Sequence, residues 1–211
     1  TGLLLLALLA TLPLPMSAAL MADLDWGPVA AGYLASLLLG AVYISIGLFV
    51  SARTDNPIVS LIGSAFLGSL LYLASSHTLT ALVTDSSAEW LRLLGSGARF
   101  DNITRGVLDI RDLGWCLSLI IGFLALNVFS LERERWARDT HSRKQRRATT
   151  AIFLLLANLL LANLWLQPLS GMRLDVTEGK LYSLSPTTQQ ILGQLQEPLL
   201  IRGYFSNRTH P

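Results

Sequence analysis

Long apolar runs alternate with short polar ones along this chain. Five apolar runs stand out: about Leu3 to Ala22, Pro28 to Val50, Ile58 to about Ser75, Leu113 to Phe129 and Ala148 to Leu166. A bilayer core of about 30 Å takes roughly 17–25 apolar residues in a helix, so each run predicts a transmembrane helix. Pro13 and Pro15 predict a kink near the outer end of the first, where neighbouring helices can satisfy the carbonyls that proline frees. That run lacks a basic leading region and further spans follow it, so it reads as a span rather than a signal peptide. Gly32, Ser36 and Gly40 recur at four-residue spacing on the second run, and Ser60, Ser64 and Gly68 on the third. Small-residue stripes let helices approach closely. They are the expected helix-packing positions, between these two helices or across a dimer interface.

The polar connections set the direction of threading. Leu131–Arg147 (LERERWARDTHSRKQRR) carries seven basic residues: Arg133, Arg135, Arg138, Arg143, Lys144, Arg146 and Arg147. Short connections rich in Lys and Arg stay on the cytoplasmic side, and alternation then places every other loop. The connections so placed inside, 51–57 and 130–147, hold eight Lys/Arg in 25 residues. Those outside, 21–27 and 76–112, hold four in 44. Residues 167–211 are therefore expected outside the cytoplasm.

Residues 77–112 are too polar to span. Within them Phe100, Ile103, Val107 and Ile110 share one helical face, while Asp101, Arg105 and Asp109 share another. The pattern predicts an amphipathic helix over Phe100–Asp112, lying in the outer interface with Arg105 bridging Asp101 and Asp109. Beyond the fifth run, Leu174–Thr177 reads as a short strand or extended link. Ser185 and Pro186 read as an N-cap and first helical residue, opening a helix through about Leu195. Pro198–Phe205 reads as a strand. The predicted fold is an all-α polytopic bundle of about five transmembrane helices, followed by the beginning of a soluble α/β domain.

Composition supports the membrane reading. Of 211 residues 52% are hydrophobic and 14% charged, with mean hydropathy +0.50. Soluble domains carry roughly 25% charged residues. The net charge of +2 adds little, because the basic residues concentrate in one stretch; that excess indicates topology and anionic-lipid contact rather than nucleic-acid binding. The single cysteine, Cys116, excludes an internal disulfide and a Cys-based zinc site. The chain opens at Thr1 without an initiator Met and stops just after a strand-like run, so a piece of a longer protein is expected.

No catalytic pattern emerges. Gly179-Lys180 is followed by leucine and lacks the preceding glycine of a phosphate-binding loop. His77, His141 and His210 are scattered over three regions and predict no metal or nucleophile constellation. There is no G-x-S-x-G elbow, and the spans carry no clear mid-membrane charge of the kind proton-coupled carriers use. Asn158 and Asn163 in the fifth run are expected to bond between helices rather than hold an ion. The catalytic, cofactor and metal sites are thus all expected to be none.

Two stretches resemble a known family. ARFDNITRGVLDIRDLGWCLSL resembles the last outer loop and final helix of ABC-2-type transporter permeases, in their gliding-motility-associated branch. Phe100, Asp101, Arg105, Gly106, Val107, Asp109, Arg111, Asp112 and Leu113 carry the form F-D-x-x-x-R-G-V-x-D-x-R-D-L. The segment from Asp23 through Val59 resembles that branch's fourth span and following turn. After the basic stretch, Asp175, Thr177, Tyr182, Ser183, Leu184, Ser185 and Thr188 carry D-x-T-x-x-x-x-Y-S-L-S-x-x-T, similar to the start of the auxiliary domain encoded beside such permeases. The family's first two helices, and the loop that contacts its ATPase, have no counterpart here.

The resemblance implies four parts. Residues 1–130 would be the C-terminal part of the permease domain, 131–147 a basic cytoplasmic linker, 148–166 an anchor helix and 167–211 the start of an extracytoplasmic α/β auxiliary domain. It further implies a non-enzymatic permease in a bacterial inner membrane, driven by a separate ATP-binding-cassette ATPase subunit and paired with a second permease copy. Phe100, Asp101, Arg105, Gly106, Asp109, Arg111 and Asp112 would then form an outer gate helix. Because such auxiliary domains are associated with surface machinery, a non-transporting scaffold that anchors the external domain is the alternative.

The topology is directly testable. Single cysteines at Ser87 and Ser206 should react with an impermeant thiol reagent in intact cells, with the outer membrane permeabilised where one is present. A cysteine at Ser142 should react only after the inner membrane is broken. Protection of the Ser206 position in the first condition reverses the orientation.

Overall fold

Side-chain caps decide where the central helices begin. A computed structural model describes residues 2–76, 79, 91, 95–136, 142–169 and 172–194. Helix α1 (Gly2–Thr11) gives way at Leu12 to α2 (Pro13–Met21). The break falls at Pro13, which has no N–H to continue the ladder, and lies midway along Gly2–Met21 rather than near its end. Asp25 then accepts a hydrogen bond from the Gly27 amide at 2.8 Å and opens α3 (Trp26–Ser51). Asn56 accepts from the amides of Ile58 and Val59, with Pro57 at the first turn, and opens α4 (Pro57–Leu73). The chain continues through α5 (Gly97–Thr104), β1 (Val107–Asp109), α6 (Ile110–Trp136), α7 (Ser142–Leu166), β2 (Arg173–Asp175) and α8 (Pro186–Gly193). Ser185 caps α8 by accepting from the Thr188 amide at 3.2 Å.

Among the described residues the molecule is mostly helical, with one two-stranded sheet. Four of the described segments are long and apolar enough to cross a membrane: Gly2–Met21, Trp26–Ser51, Ile110–Arg133 and Gln145–Leu166. The apolar helix α4 is shorter, with 17 residues. At 1.5 Å per residue it reaches about 26 Å, at the lower limit for crossing the core.

Helix α3 is the centre of the bundle and packs against α6, α4, α5 and α1. Midway along it, Val42 and Ile46 meet Trp115 and Cys116 of α6 in one buried cluster. Nearer its start, Ala31 and Ala35 meet Ile103 of α5 in a second. Helix α7 packs on α6 through a seam of small residues: Gly114 and Gly122 lie against Leu166, Leu156 and Leu159. Between them Asn163 donates to the Ser118 hydroxyl at 2.7 Å. That is the interhelical role expected of Asn163, whereas Asn158 donates to Leu154 within its own helix.

Helices α3 and α4 do pack on each other, but not through the whole of the two predicted stripes. Gly47 lies against Ser64, Gly63 against Val50 and Gly68 against Tyr43. On the α3 stripe, Gly40 faces Leu4 of α1, a Cβ on Gly32 would meet open space, and Ser36 bonds back to the Gly32 carbonyl. Ser64 likewise bonds back to Ser60.

The predicted single helix over Phe100–Asp112 is corrected. It stops at Thr104, turns at Gly106, forms β1 and restarts as α6 at Ile110. Gly106 has φ 86, a conformation that side chains disfavour, and a Cβ there would come within 2.9 Å of Thr177. From Val107 the burial alternates as in a strand, with Val107 and Asp109 inward. The apolar positions Ile103 and Val107 are both buried, yet by a helix and a strand respectively. Arg105 is exposed at the turn and pairs with neither Asp101 nor Asp109. The basic stretch is corrected as well: α6 runs on to Trp136 and α7 begins at Ser142, so most of it extends the two helices. The expected strand at 198–205 and all three histidines lie outside the described residues.

Strands β1 and β2 pair antiparallel, with Leu108 opposite Leu174. The flanking bonds, Val176 amide to Gly106 carbonyl and Ile110 amide to Met172 carbonyl, fix that register. Opposed residues at such positions have Cα atoms about 5.5 Å apart, within disulfide reach. A Leu108→Cys, Leu174→Cys double variant should therefore crosslink on mild oxidation in membranes. Trypsin cleavage in the basic stretch should then leave the two halves joined only under non-reducing conditions. Crosslinking of a cysteine at 108 to one at 172 in preference to 174 contradicts the register.

Candidate functional site

Helix α5 dips into the bundle from one end. Its last turn, at Ile103, packs beside Ala31 and Ala35. Its leading residue Ser96 donates its amide to Leu71 near the end of α4 and lies 3.4 Å from the Tyr43 hydroxyl. Tyr43 is about two-thirds of the way along α3, so α5 runs antiparallel to α3 and fills space that the shorter α4 leaves. Irregular backbone at such depth requires protein partners. Ser75 supplies one, its hydroxyl accepting from the Ala98 amide at 3.0 Å.

This dip buries a charge pair. Arg99 and Asp112 are 7% and 6% exposed, with Nη1 and Oδ1 2.8 Å apart. The Arg99 guanidinium also lies 4.9 Å above the Trp115 ring, and Asn102 donates to the other Asp112 oxygen at 3.4 Å. Trp115 belongs to the cluster with Val42 and Ile46, so the pair sits level with the middle of α3. Removing one partner of such a pair costs about 3–5 kcal/mol, because the other charge stays buried.

A clasp closes over the pair. Asp109 is buried and grips Arg111, accepting from its Nε at 3.0 Å through both oxygens and from Nη2. Across the sheet, Arg173 stands 4.0 Å from Asp109, opposite it in the register. Arg111 reaches on to the Gln167 carbonyl at the end of α7. Asp175 organises the following loop: it accepts from the amide and hydroxyl of Thr177, the amide of Tyr182 and the hydroxyl of Ser183. Buried Thr177 in turn accepts from the Leu181 amide. Asp25 ties the loop to the bundle, since the oxygen not used to cap α3 accepts from the Glu178 amide at 3.0 Å. The backbone carbonyl of Val176 lies so close to Gly27 that a Cβ there would be 1.9 Å from it.

The two aspartates of the clasp are tuned alike. Burial pushes the Asp109 carboxyl up, but the hydrogen bonds and charge of Arg111, with Arg173 behind them, outweigh it and hold the group below the usual range. For Asp175 the Thr177 hydroxyl is the largest influence, opposed by desolvation and helped by the amides of Thr177 and Tyr182 and the Ser183 hydroxyl. Together they hold it at about 2.

The structure thus distributes the predicted outer residues. Gly106, Asp109 and Arg111 form the clasp, Asp112 belongs to the buried pair, Phe100 packs on the Ala31 cluster, and Asp101 and Arg105 face outward. Arg99, Asn102, Asp25 and the hub role of Asp175 were not among the predicted sites. Arg99 carried one usable signal: it stands among small and apolar residues just before the periodic run. Among the described residues no group of three His, Cys, Asp or Glu side chains could hold a metal ion. A groove of about 660 Å³ runs between α3 and α4, lined among others by Tyr43, Ser64, Gly68 and Tyr72, and its lining carries no charge.

The depressed carboxyls give the clasp a pH dependence. A carboxyl whose pKa is lowered on folding contributes stability that is present above its unfolded value and is lost as pH falls through the folded one. Amide protection at Tyr182, corrected for intrinsic exchange, should hold constant from pH 7 to about 5 and decline toward about pH 2. Asp175→Ala should remove the Tyr182 protection at every pH. Protection of Tyr182 in that variant equal to the parent's removes Asp175 as the hub.

One domain family matches the chain: that described as Domain of unknown function (DUF7088), over residues 178–211, beginning inside the Asp175-organised loop. No curated protein and no solved structure matches the chain.

Proposed function

We propose that this chain is the membrane subunit of an ATP-driven transporter of the ABC-2 type, fused to the start of its auxiliary domain. It forms the pathway and gate, while a separate ATPase subunit hydrolyses ATP. The observation that carries the reading is the dipping helix α5, held at mid-bundle depth by the Arg99 and Asp112 pair. It lies within the stretch that resembles the permease family. A charge pair within a membrane bundle is costly and marks function by default. The uncharged groove between α3 and α4 supports a pathway beside α5. In this reading the clasp end faces outward, the basic stretch faces the cytoplasm of a bacterial cell, and residues 167–211 begin an extracytoplasmic α/β domain. A second permease copy completes the transporter.

The clasp also favours the scaffold alternative, because it fixes the external segment rigidly to the bundle. Variants of the buried pair separate the two. Purified alone, the chain should neither bind nor hydrolyse ATP; stoichiometric nucleotide binding overturns the permease reading. In the assembled complex, Arg99→Ala should lower the folded yield markedly, and exchanging the two charges (Arg99→Asp with Asp112→Arg) should restore part of it. Arg99→Lys keeps the charge but loses the guanidinium stacking. At matched yield it should change ATPase-coupled transport, while exposed Arg105→Ala leaves both yield and coupling intact. Unaltered coupling in Arg99→Lys leaves α5 as a seal, and a complex with no transport activity favours the scaffold.

A further inference from the structure

At the opposite end of the molecule, Arg146 and Arg147 open a groove of about 400 Å³ on the first turns of α7, lined also by Thr150, Ala151 and Leu154. The apolar segment of α7 begins at Gln145, so two guanidinium groups stand where the span meets the polar phase. Both arginines are exposed, and neither pairs with an acidic side chain among the described residues. Helix α7 begins at Ser142, and only the first four amides of a helix lack an intrahelical acceptor. Arg146 and Arg147 lie beyond those four, so recognition here comes from side chains rather than from the helix end. One turn further, Phe153 and Leu154 are 70% and 54% exposed, Leu154 on the side of α7 away from the Leu156 and Leu159 contacts with α6. The groove has a cationic mouth and an apolar floor, aligned along the helix.

We propose that this groove binds one anionic phospholipid. Its phosphate would sit against Arg146 and Arg147, and an acyl chain would follow Ala151 and Leu154. Guanidinium forks match phosphate oxygens geometrically. A free phosphate would satisfy the mouth but leave the floor uncovered, whereas a zwitterionic lipid would cover the floor but bring its own cation to the mouth. The proposal rests on the membrane reading and is independent of whether the protein transports anything.

The test uses the full chain in a neutral detergent, with bound lipid counted by native mass spectrometry. Dioleoylphosphatidylglycerol should be retained at one per chain, in clear preference to dioleoylphosphatidylcholine, and inorganic phosphate should not displace it. Arg146→Gln with Arg147→Gln should weaken retention about thirty-fold, the effect of losing two interfacial guanidinium groups. Arg133→Gln with Arg135→Gln, in the same basic stretch but on α6, should weaken it by no more than about threefold, as a screened field effect. Leu154→Gln should weaken lipid retention with both arginines present. Thermal unfolding without lipid checks that each variant is folded. Equal weakening by the two arginine pairs means a diffuse basic field and overturns the site. Displacement by inorganic phosphate, or equal retention of the zwitterionic lipid, overturns it too.

Discussion

A guanidinium and a carboxylate buried level with the middle of a long apolar helix constrain everything around them. Arg99 and Asp112 can hold that position only if each remains within hydrogen-bond reach of the other. The requirement pins α5 to the start of α6, which the chain must reach within a few residues of leaving α5. A continuous helix from Phe100 to Asp112 could not make that reversal. The left-handed turn at Gly106 and the strand β1 make it possible. The glycine, the short strand and the buried pair are thus one device, and Trp115 and Asn102 complete it from either side.

The clasp follows from the same reversal. Once β1 is extended rather than helical, its backbone groups need partners, and β2 supplies them from the far side of α7. Asp109 then falls inward on the strand, where burial would make it costly without the cations on both sides. Asp175, one residue beyond Leu174 in the register, turns its carboxylate to its own loop instead and draws four donors from it. Segments far apart in sequence, at Asp25, Gly106 and Glu178, therefore meet at one end of the bundle. The chain beyond α7 leaves the helix bundle as part of a folded edge rather than as a loose tether.

Much of this was legible as pattern and less as geometry. The apolar runs located the long helices, and Pro13, Asn56 and Ser185 marked helix starts by local chemistry that acts within a turn. The spacing of Phe100, Ile103 and Val107 correctly flagged burial. It misassigned the backbone, because three positions at i, i+3 and i+7 fit a helix whether or not a glycine reverses the chain between them. Arg105 looked like the ladder residue since a helix would place it beside two acids; with the helix broken, Arg99, six residues earlier, has the buried partner. The small-residue stripes were read on α3 and α4, while the same spacing in Gly114, Ser118 and Gly122 forms the seam with α7. Spacing of this kind says that a close approach is allowed, not which neighbour makes it.

The two ends of the bundle use arginine in opposite ways. At the clasp end Arg111 and Arg173 are held by Asp109, and beneath them Arg99 is held by Asp112. At the other end Arg53 donates to Ser130 and lies over Phe49, bracing α3 against α6 with no acidic partner among the described residues. Between these fixed ends, α4 meets α3 mainly through glycine, serine, valine and tyrosine contacts beside an uncharged groove. Sliding such a contact breaks no ion pair and leaves no buried charge, whereas moving α5 does both. A rearrangement that preserves the clasp can therefore proceed between α3 and α4 without parting a charge pair, whereas one that opens the α5 end must first separate Arg99 from Asp112.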